Sequence, residues 1–391
     1  LTLKNQLPLV QQNKVYCSAP WKGITVRENG DVKTCCAGAE VIGNLKNNTI
    51  DEIINSNELQ RIQTQMKNGT PGKNCIACVE QEKSSNHASL RHHYQKHYPF
   101  NDKELKLNFI DIRWNNRCNL ACQYCGPLLS STWQKRLGQP RDSAKNNYQD
   151  ELLNWIISKS TEVNEIMMVG GEPMLMAQNH ELLKQLPTNC QVSIITNLSY
   201  NLDTLRCYND ILNRPKEKII WNVSGDNTFE QYEYVRSGSK WTEFSNNLKQ
   251  ICQIWNTTVC STMVYSMFNA FDLLHIIKKY NDLGVNKFSL MQIADNPTVD
   301  VFNWPEQTQQ IALDQLIQIK QWHSERFGED AHLYPIDGLD NIILGLQNKQ
   351  KCVKITYSKF CEDIAAYDRN RTASKFNKLW SHVWDHAKQV L

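Results

Sequence analysis

The sequence has no apolar run long enough to cross a bilayer, and its first residues lack a basic region followed by a hydrophobic core. These absences argue against a helical membrane protein and a secretory leader, so a soluble, cytoplasmic chain without a membrane partner is expected. Position 1 is Leu rather than Met, from which a trimmed N-terminus is expected. Charge of one sign is not in excess either: 43 lysines and arginines face 40 acids across 391 residues. That balance gives no support for nucleic acid or a membrane surface as the main partner. What the chain has in quantity is cysteine, 14 residues of it. Without a leader these point away from a disulfide framework and toward thiolate ligation in a reducing compartment.

A further absence carries chemistry. The run Cys118-Asn-Leu-Ala-Cys122-Gln-Tyr-Cys125 follows the apolar stretch Leu107 to Trp114, and it has three cysteines rather than four. Three thiolates spaced in this way can hold three irons of a cubane cluster and leave the fourth open to a small chelating ligand. A closed four-cysteine site would more naturally serve structure or electron transfer. Taken alone, the three cysteines also admit a zinc site or buried thiols.

The chain is long enough for two or three domains with a sizeable core. From Val15 to about Tyr98 the cysteines lie in turn-rich sequence. A hairpin is expected from Ile24 to Cys35, with Asn29-Gly30 supplying the positive φ of a type I′ turn. Thr49 and Glu52 form a capping box for a helix running from Ile50 to Met66. From Leu107 the pattern changes to apolar strands alternating with amphipathic stretches. Six strands are expected: Leu107 to Trp114, Val163 to Val169, Gln191 to Thr196, Lys218 to Val223, Thr257 to Tyr265 and Val285 to Met291. Strands joined by helical segments imply right-handed βα units, a parallel sheet and working groups at the carboxyl ends of strands. Residues after about Asn303 read as helical and aromatic.

The segment from Leu107 to Met291 resembles the core of a radical S-adenosylmethionine (SAM) enzyme. The resemblance rests on Cys118, Cys122 and Cys125 as a CxxxCxxC motif, with the aromatic Tyr124 before the last cysteine, and on Gly170-Gly171-Glu172-Pro173 as the GGEP motif that contacts the methionine amino group. Ser224 and Asp226 stand where such enzymes often hold the ribose hydroxyls or the methionine carboxylate, and Arg236 resembles a common carboxylate-binding arginine. Tyr124 is expected against the adenine. The physical reasons run in parallel. Thiolates suit iron. Glycine lets backbone approach a ligand closely, and a glutamate attracts an ammonium group. A tight turn at Gly170-Gly171, and an N-cap and turn at Ser224 and Asp226, are the plainer readings of the same residues.

The resemblance implies an α/β fold, a partial (β/α)6 TIM-like barrel over residues 105–302, and an oxidoreductase that reductively cleaves SAM at a [4Fe–4S] cluster and abstracts a substrate hydrogen. It also implies an electron donor such as flavodoxin or ferredoxin. Residues 303–391 are expected to form a helical segment packing on this core. Residues 1–104 resemble the cysteine-rich SPASM/twitch module, a small α+β domain holding one auxiliary [4Fe–4S] cluster. That likeness runs through Cys17, the Asn29-Gly30 turn, Cys35, Gly43-Asn44-Leu45, the Ile50 to Met66 helix and Cys75-Ile-Ala-Cys78. It implies Cys17, Cys35, Cys75 and Cys78 as ligands, with Cys36 the alternative to Cys35; alternation along a strand argues against both serving one metal atom. The module normally follows the barrel, whereas here it precedes it, and a zinc ribbon is the alternative for its knuckles. A peptide or protein side chain is the expected substrate by analogy with other carriers of the module. A small metabolite is the alternative, and a non-catalytic electron carrier is disfavoured by GGEP.

Other features read more plainly. His87, Arg91, His92, His93, Lys96 and His97 are expected to form a solvated helix face. Cys190, Cys207, Cys252, Cys260, Cys352 and Cys361 are expected to pack as small hydrophobes. Asp368, Arg369 and Arg371 form a charged segment to which the sequence assigns no role.

Overall fold

The computed structural model describes residues 15–37, 40–84, 89–98, 107–139, 148–255, 257–293, 296–348, 355–369 and 375–391. His87, Cys352 and Arg371 lie outside the described residues. The chain divides into two compact units. The first takes in Leu1–Arg117, Pro140–Ile194 and Arg206–Ile219; the second takes in Cys118–Gln139, Ile195–Leu205 and Ile220–Leu391.

In the first unit the short helix Ala19–Lys22 leads into the strands β1 (Gly23–Val26), β2 (Asp31–Lys33) and β3 (Val41–Asn44), which form an antiparallel meander. Its turn differs from the sequence expectation. Only Gly30 has positive φ (89°), and the Gly30 N–H donates to the Arg27 carbonyl, so the loop has three residues and is not type I′. Asn29 stays out of the left-handed region and uses its side chain instead, the amide donating to Asp31 Oδ2 at 2.7 Å. The Thr49–Glu52 capping box forms as expected, but the helix it opens ends at Ile54. Ser56 caps a second helix, Asn57–Lys67, because its hydroxyl accepts from the Leu59 N–H and competes for the backbone there. Leu59, Ile62 and Met66 form the buried face of that second helix. Two further helices, Lys73–Ser84 and Leu90–His97, complete the N-terminal module.

The same unit contains β4 (Phe109–Ile112), β5 (Glu165–Met168) and the start of β6 (Gln191–Thr196), all parallel. β1 pairs with β4, also parallel, in the register Gly23–Phe109, Ile24–Ile110, Thr25–Asp111 and Val26–Ile112. The cysteine-rich module therefore shares its sheet with the first barrel strands. Both β1 and β4 are buried along their whole length.

The second unit is built on β7 (Ile219–Ser224), β8 (Val259–Tyr265) and β9 (Lys287–Gln292), again parallel. A two-residue strand in the C-terminal segment, β10 (Ile336–Asp337), pairs parallel with β9. β7 and β8 bury alternate residues and β9 does so over its first four, with Val223, Met263 and Phe288 among the inward set. The six strands expected from sequence all form, each joined to the next through helical segments, in the α/β pattern of a partial (β/α)6 barrel. The last residues pack against the helix Phe229–Val235: Tyr234 donates to Asp368 Oδ1 at 2.9 Å, Gln231 donates to the Leu379 carbonyl at 2.9 Å, and the Tyr234 and Trp380 rings meet edge to face. Among the described residues no helix is long and apolar enough to cross a membrane.

Candidate iron–sulfur and SAM site

Strand direction places the motif loops. β4 runs into Arg113-Trp114-Asn115-Asn116-Arg117 and then the cysteine loop; β5 runs into Gly170-Gly171-Glu172-Pro173. The two loops touch closely within the first unit. The Gly171 N–H donates to the Asn115 carbonyl at 3.3 Å and the Glu172 N–H donates to the Arg117 carbonyl at 2.7 Å. A Cβ on Gly171 would lie 2.5 Å from Arg117 C and 2.6 Å from Asn116 C, so only glycine fits. Gly170 has a φ of 106° and sits 3.0 Å, by its imagined Cβ, from the Asn115 carbonyl oxygen. Glu172 is fully buried and caps the short 3-10 turn Pro173–Leu175, with Oε1 accepting from the Met174 N–H. Asn179 holds the Pro173 carbonyl at 2.9 Å while accepting from the Trp114 indole at 2.7 Å. The sequence reading missed Trp114 and Asn179.

The cysteine loop belongs to the second unit and is clamped by the helix Ser131–Arg136 that follows it. The Ser130 hydroxyl donates to the Leu120 carbonyl (2.6 Å), Thr132 to the Cys118 carbonyl (2.7 Å) and the Trp133 indole to the Cys122 carbonyl (2.9 Å). The Ser-Ser-Thr-Trp sequence after the loop was the available signal, since Ser130 is an ordinary N-cap. Donors also reach the sulfurs. The Leu120 N–H lies 3.5 Å from Cys118 Sγ, the Asn197 amide 3.8 Å from the same sulfur, and Arg236 Nη1 3.8 Å from Cys122 Sγ. Burial pushes the Cys122 thiol up to about 12, so ligation by iron has to displace its proton. Three thiols on one loop, two of them receiving hydrogen bonds at sulfur, fit a thiolate-ligated [4Fe–4S] cluster.

Tyr124, half-buried, joins the buried Asp226 and Arg236 in one network. The Tyr124 hydroxyl donates to Asp226 Oδ2, Arg236 Nη2 meets the same oxygen at 2.8 Å, and the Val264 N–H donates to Oδ1 at 2.7 Å. The guanidinium also lies over the Tyr124 ring, 5.7 Å from its centroid. Burial opposes the Arg236 charge, but Asp226, Tyr124 and Cys122 outweigh it and hold the group well above its usual range. Ser224 ends β7, half-buried.

The N-terminal cysteines gather elsewhere in the first unit. Cys17, Cys35, Cys75 and Cys78 line one pocket together with Met66, Leu90, Arg91 and Tyr94, and Cys36 is not among its lining residues. Cys75 and Cys78 stand one helical turn apart on Lys73–Ser84. Cys36 is exposed. The Tyr94 hydroxyl is buried without a partner among the described residues, and its ring fits because position 23 is glycine: a Cβ there would lie 2.9 Å from Tyr94 Cε1. Burial raises the Cys17 and Cys35 thiols to about 12. Four thiols and a spare buried donor around one pocket fit a fully cysteine-ligated cluster. Arg91 is not part of a solvated face: it pairs with Glu82 and donates to the Tyr16 carbonyl at 3.0 Å. It turns inward because that carboxylate and carbonyl are there to receive it.

Asp111, also missed from sequence, is fully buried on β4, where it accepts from Thr25 Oγ1 and Arg113 Nη2, each at 3.3 Å. Cys190, Cys207 and Cys252 are buried as expected, and Cys260 and Cys361 are half-buried.

Residues 17–79 match the iron–sulfur cluster-binding domain SPASM, and residues 111–225 match the 4Fe–4S single cluster domain Fer4_12. With the motifs above, these matches give the chain two iron–sulfur cluster-binding segments and a likeness to the radical SAM enzymes, the class whose cofactors are a [4Fe–4S] cluster and SAM. More particularly, the SPASM match precedes the 4Fe–4S single cluster match along the chain. Solved structures with some likeness include native anSMEcpe with bound AdoMet and Kp18Cys peptide, 14% identical over 57% of this chain and 62% of that one, TM-score 0.40. Streptococcus suis SuiB bound to precursor peptide SuiA is 11% identical over 95% of this chain and 88% of that one, TM-score 0.41. The methyltransferase TsrM from Kitasatospora setae, with cobalamin and a [4Fe–4S] cluster bound, is 10% identical over 72% and 61%, TM-score 0.36. The match spans 62% of the length of the first of these. No curated protein matches the sequence.

Proposed function

We propose that this chain cleaves SAM reductively and uses the product to abstract a hydrogen atom from a peptide or protein side chain. The observation that carries the first part is the seating of Gly170 and Gly171 on the Asn115–Arg117 backbone, the segment that leads directly into Cys118. When bound and reduced, the cluster held by Cys118, Cys122 and Cys125 would supply one electron to the sulfonium of SAM, which would split at S–C5′ into methionine and a 5′-deoxyadenosyl radical. The residues do the rest. Cys118, Cys122 and Cys125 hold three irons. Gly170, Gly171 and Pro173 cradle the methionine end, and the buried Glu172 carboxylate attracts its ammonium. Ser224 offers a hydroxyl to the ribose. Asp226 Oδ2 takes both the Tyr124 hydroxyl and Arg236 Nη2, so the part of this pair is to fix Tyr124 and the loop beside the adenine. Burial of Asp226 and Arg236 keeps water from this side of the site.

In the auxiliary domain Cys17, Cys35, Cys75 and Cys78 close a four-thiolate site that relays electrons and does not bind substrate itself. A flavodoxin or ferredoxin supplies the reducing electron. A peptide substrate is supported by the SPASM match over residues 17–79, by analogy with other carriers of that module.

The test is anaerobic reduction of reconstituted enzyme with SAM, following 5′-deoxyadenosine. Release well above that of a Cys118, Cys122 and Cys125 triple alanine variant is expected; equal release refutes the cleavage reading. A short precursor-like reading frame beside the gene, and a mass change of its product on incubation, separates peptide from small-metabolite substrates.

A further inference from the structure

We propose that Arg236 is a positioning residue for the cluster itself, donating to the Cys122 sulfur and so setting the reduction potential of the cluster held by Cys118, Cys122 and Cys125. The proposal rests on the reading that these thiolates hold iron. The guanidinium is buried and forks between two partners: Nη2 to Asp226 Oδ2 at 2.8 Å and Nη1 to Cys122 Sγ at 3.8 Å. Backbone bonds lock this geometry on both sides of Cys122. The Ala121 N–H donates to the Ser237 carbonyl at 2.8 Å and the Gln123 N–H to the Val235 carbonyl at 2.9 Å, so the residues flanking Cys122 are stitched to those flanking Arg236. The Gln123 amide adds a third tie, to the Tyr234 carbonyl at 3.0 Å. Behind them Gly238, at a φ of 107°, lets the chain pass within 3.2 Å of the Asn119 carbonyl oxygen, measured from where a Cβ would stand. Among the described residues Arg236 Nε is buried without a hydrogen-bond partner, so the polar contacts of the side chain are its two Nη contacts.

A cationic N–H donor on a ligating sulfur favours the reduced cluster, which carries one more negative charge, and so raises the potential. Asp226 works in the opposite direction, because its carboxylate offsets the charge that the cluster feels. The pair therefore makes a prediction of sign that a purely structural role does not.

The measurement is a redox titration of the reconstituted full-length enzyme without SAM, followed by electron paramagnetic resonance of the signal that is absent from the triple alanine variant. Arg236→Gln is expected to retain iron and to lower the midpoint potential by about tenfold in the reduction equilibrium, about 59 mV for one electron. Arg236→Lys keeps the charge without the fork and is expected in between. Asp226→Asn is expected to raise the potential. A Gln variant with full iron and an unmoved potential overturns the proposal. Should that variant lose iron, Asp226→Asn decides alone: a potential that falls or stays overturns it. Absence of the signal from the wild-type enzyme would instead refute the cluster at this triad.

Discussion

Gly171→Ala is the most direct test of how the GGEP loop is held. Ordinary contact begins near 3.4 Å, whereas the new Cβ would sit 2.5 Å from Arg117 C, a shortfall of about 0.9 Å against backbone rather than a flexible side chain. Moving the loops apart by that amount would stretch the Glu172 N–H to Arg117 carbonyl bond from 2.7 Å to about 3.6 Å, where it no longer counts as a hydrogen bond. Overpacking costs ~1–3 kcal/mol, each lost hydrogen bond adds ~0.5–1.5, and the lower entropy of the unfolded alanine chain returns ~0.4–1. A net loss of roughly 0.5–4 kcal/mol is expected in this part of the fold. Misplacing a positioning loop by about 1 Å typically costs on the order of 100-fold in rate. The assay is 5′-deoxyadenosine release alongside iron content and urea unfolding. The control is Gly126→Ala, next to Cys125, where a Cβ meets nothing within 4 Å. If Gly171→Ala behaves like Gly126→Ala in rate and stability, the close seating does not hold the loop and the reasoning fails.

Three further outcomes are expected. In the triple alanine background, Cys36→Ala keeps the auxiliary irons and Cys35→Ala loses them, as measured by iron and sulfide content; the reverse result would exchange their roles. Gly23→Ala destabilises the N-terminal module by ~1–3 kcal/mol through its clash with Tyr94, and Tyr94→Phe relieves part of the loss, because the hydroxyl is the closest atom; additive losses in thermal melts would contradict this. Tyr234→Phe and Asp368→Asn each cost ~1.5–3 kcal/mol if their bond carries its usual worth for a charged partner, and the double variant costs less than the sum; full additivity would mean that the bond contributes nothing.

The sequence disclosed what is local. Gln191–Thr196 forms the strand expected, residue for residue, because a cluster of β-branched residues (Val192, Ile194, Ile195, Thr196) bounded by turn residues is a strong signal. The Thr49–Glu52 box and the cysteine spacings are local too. Less visible was the helix break at Asn55-Ser56, since a serine inside an apolar-periodic stretch is as compatible with a solvent-facing position as with a new cap. The choice between Cys35 and Cys36 depends on which way a loop turns after β2, and adjacent residues carry no signal of that. Arg236 was legible as a functional arginine but not as a partner of Cys122, for the two lie 114 positions apart and meet only through folded backbone. The pairing of β1 with β4 was equally hidden: Thr25 and Asp111 are 86 residues apart, and either strand alone reads as an ordinary apolar segment.

That pairing has a consequence for how the chain can be made and cut. β4 is buried from Phe109 to Ile112, and β1 supplies the hydrogen-bonding partner along one of its sides. Expressing the barrel from residue 105 onward would leave that side as a bare apolar edge, a template for aggregation. During synthesis the dependence runs the other way: β1 leaves the ribosome first and has to wait for β4 before its parallel partner exists. The cluster-binding module is thus first in the chain and second to be completed.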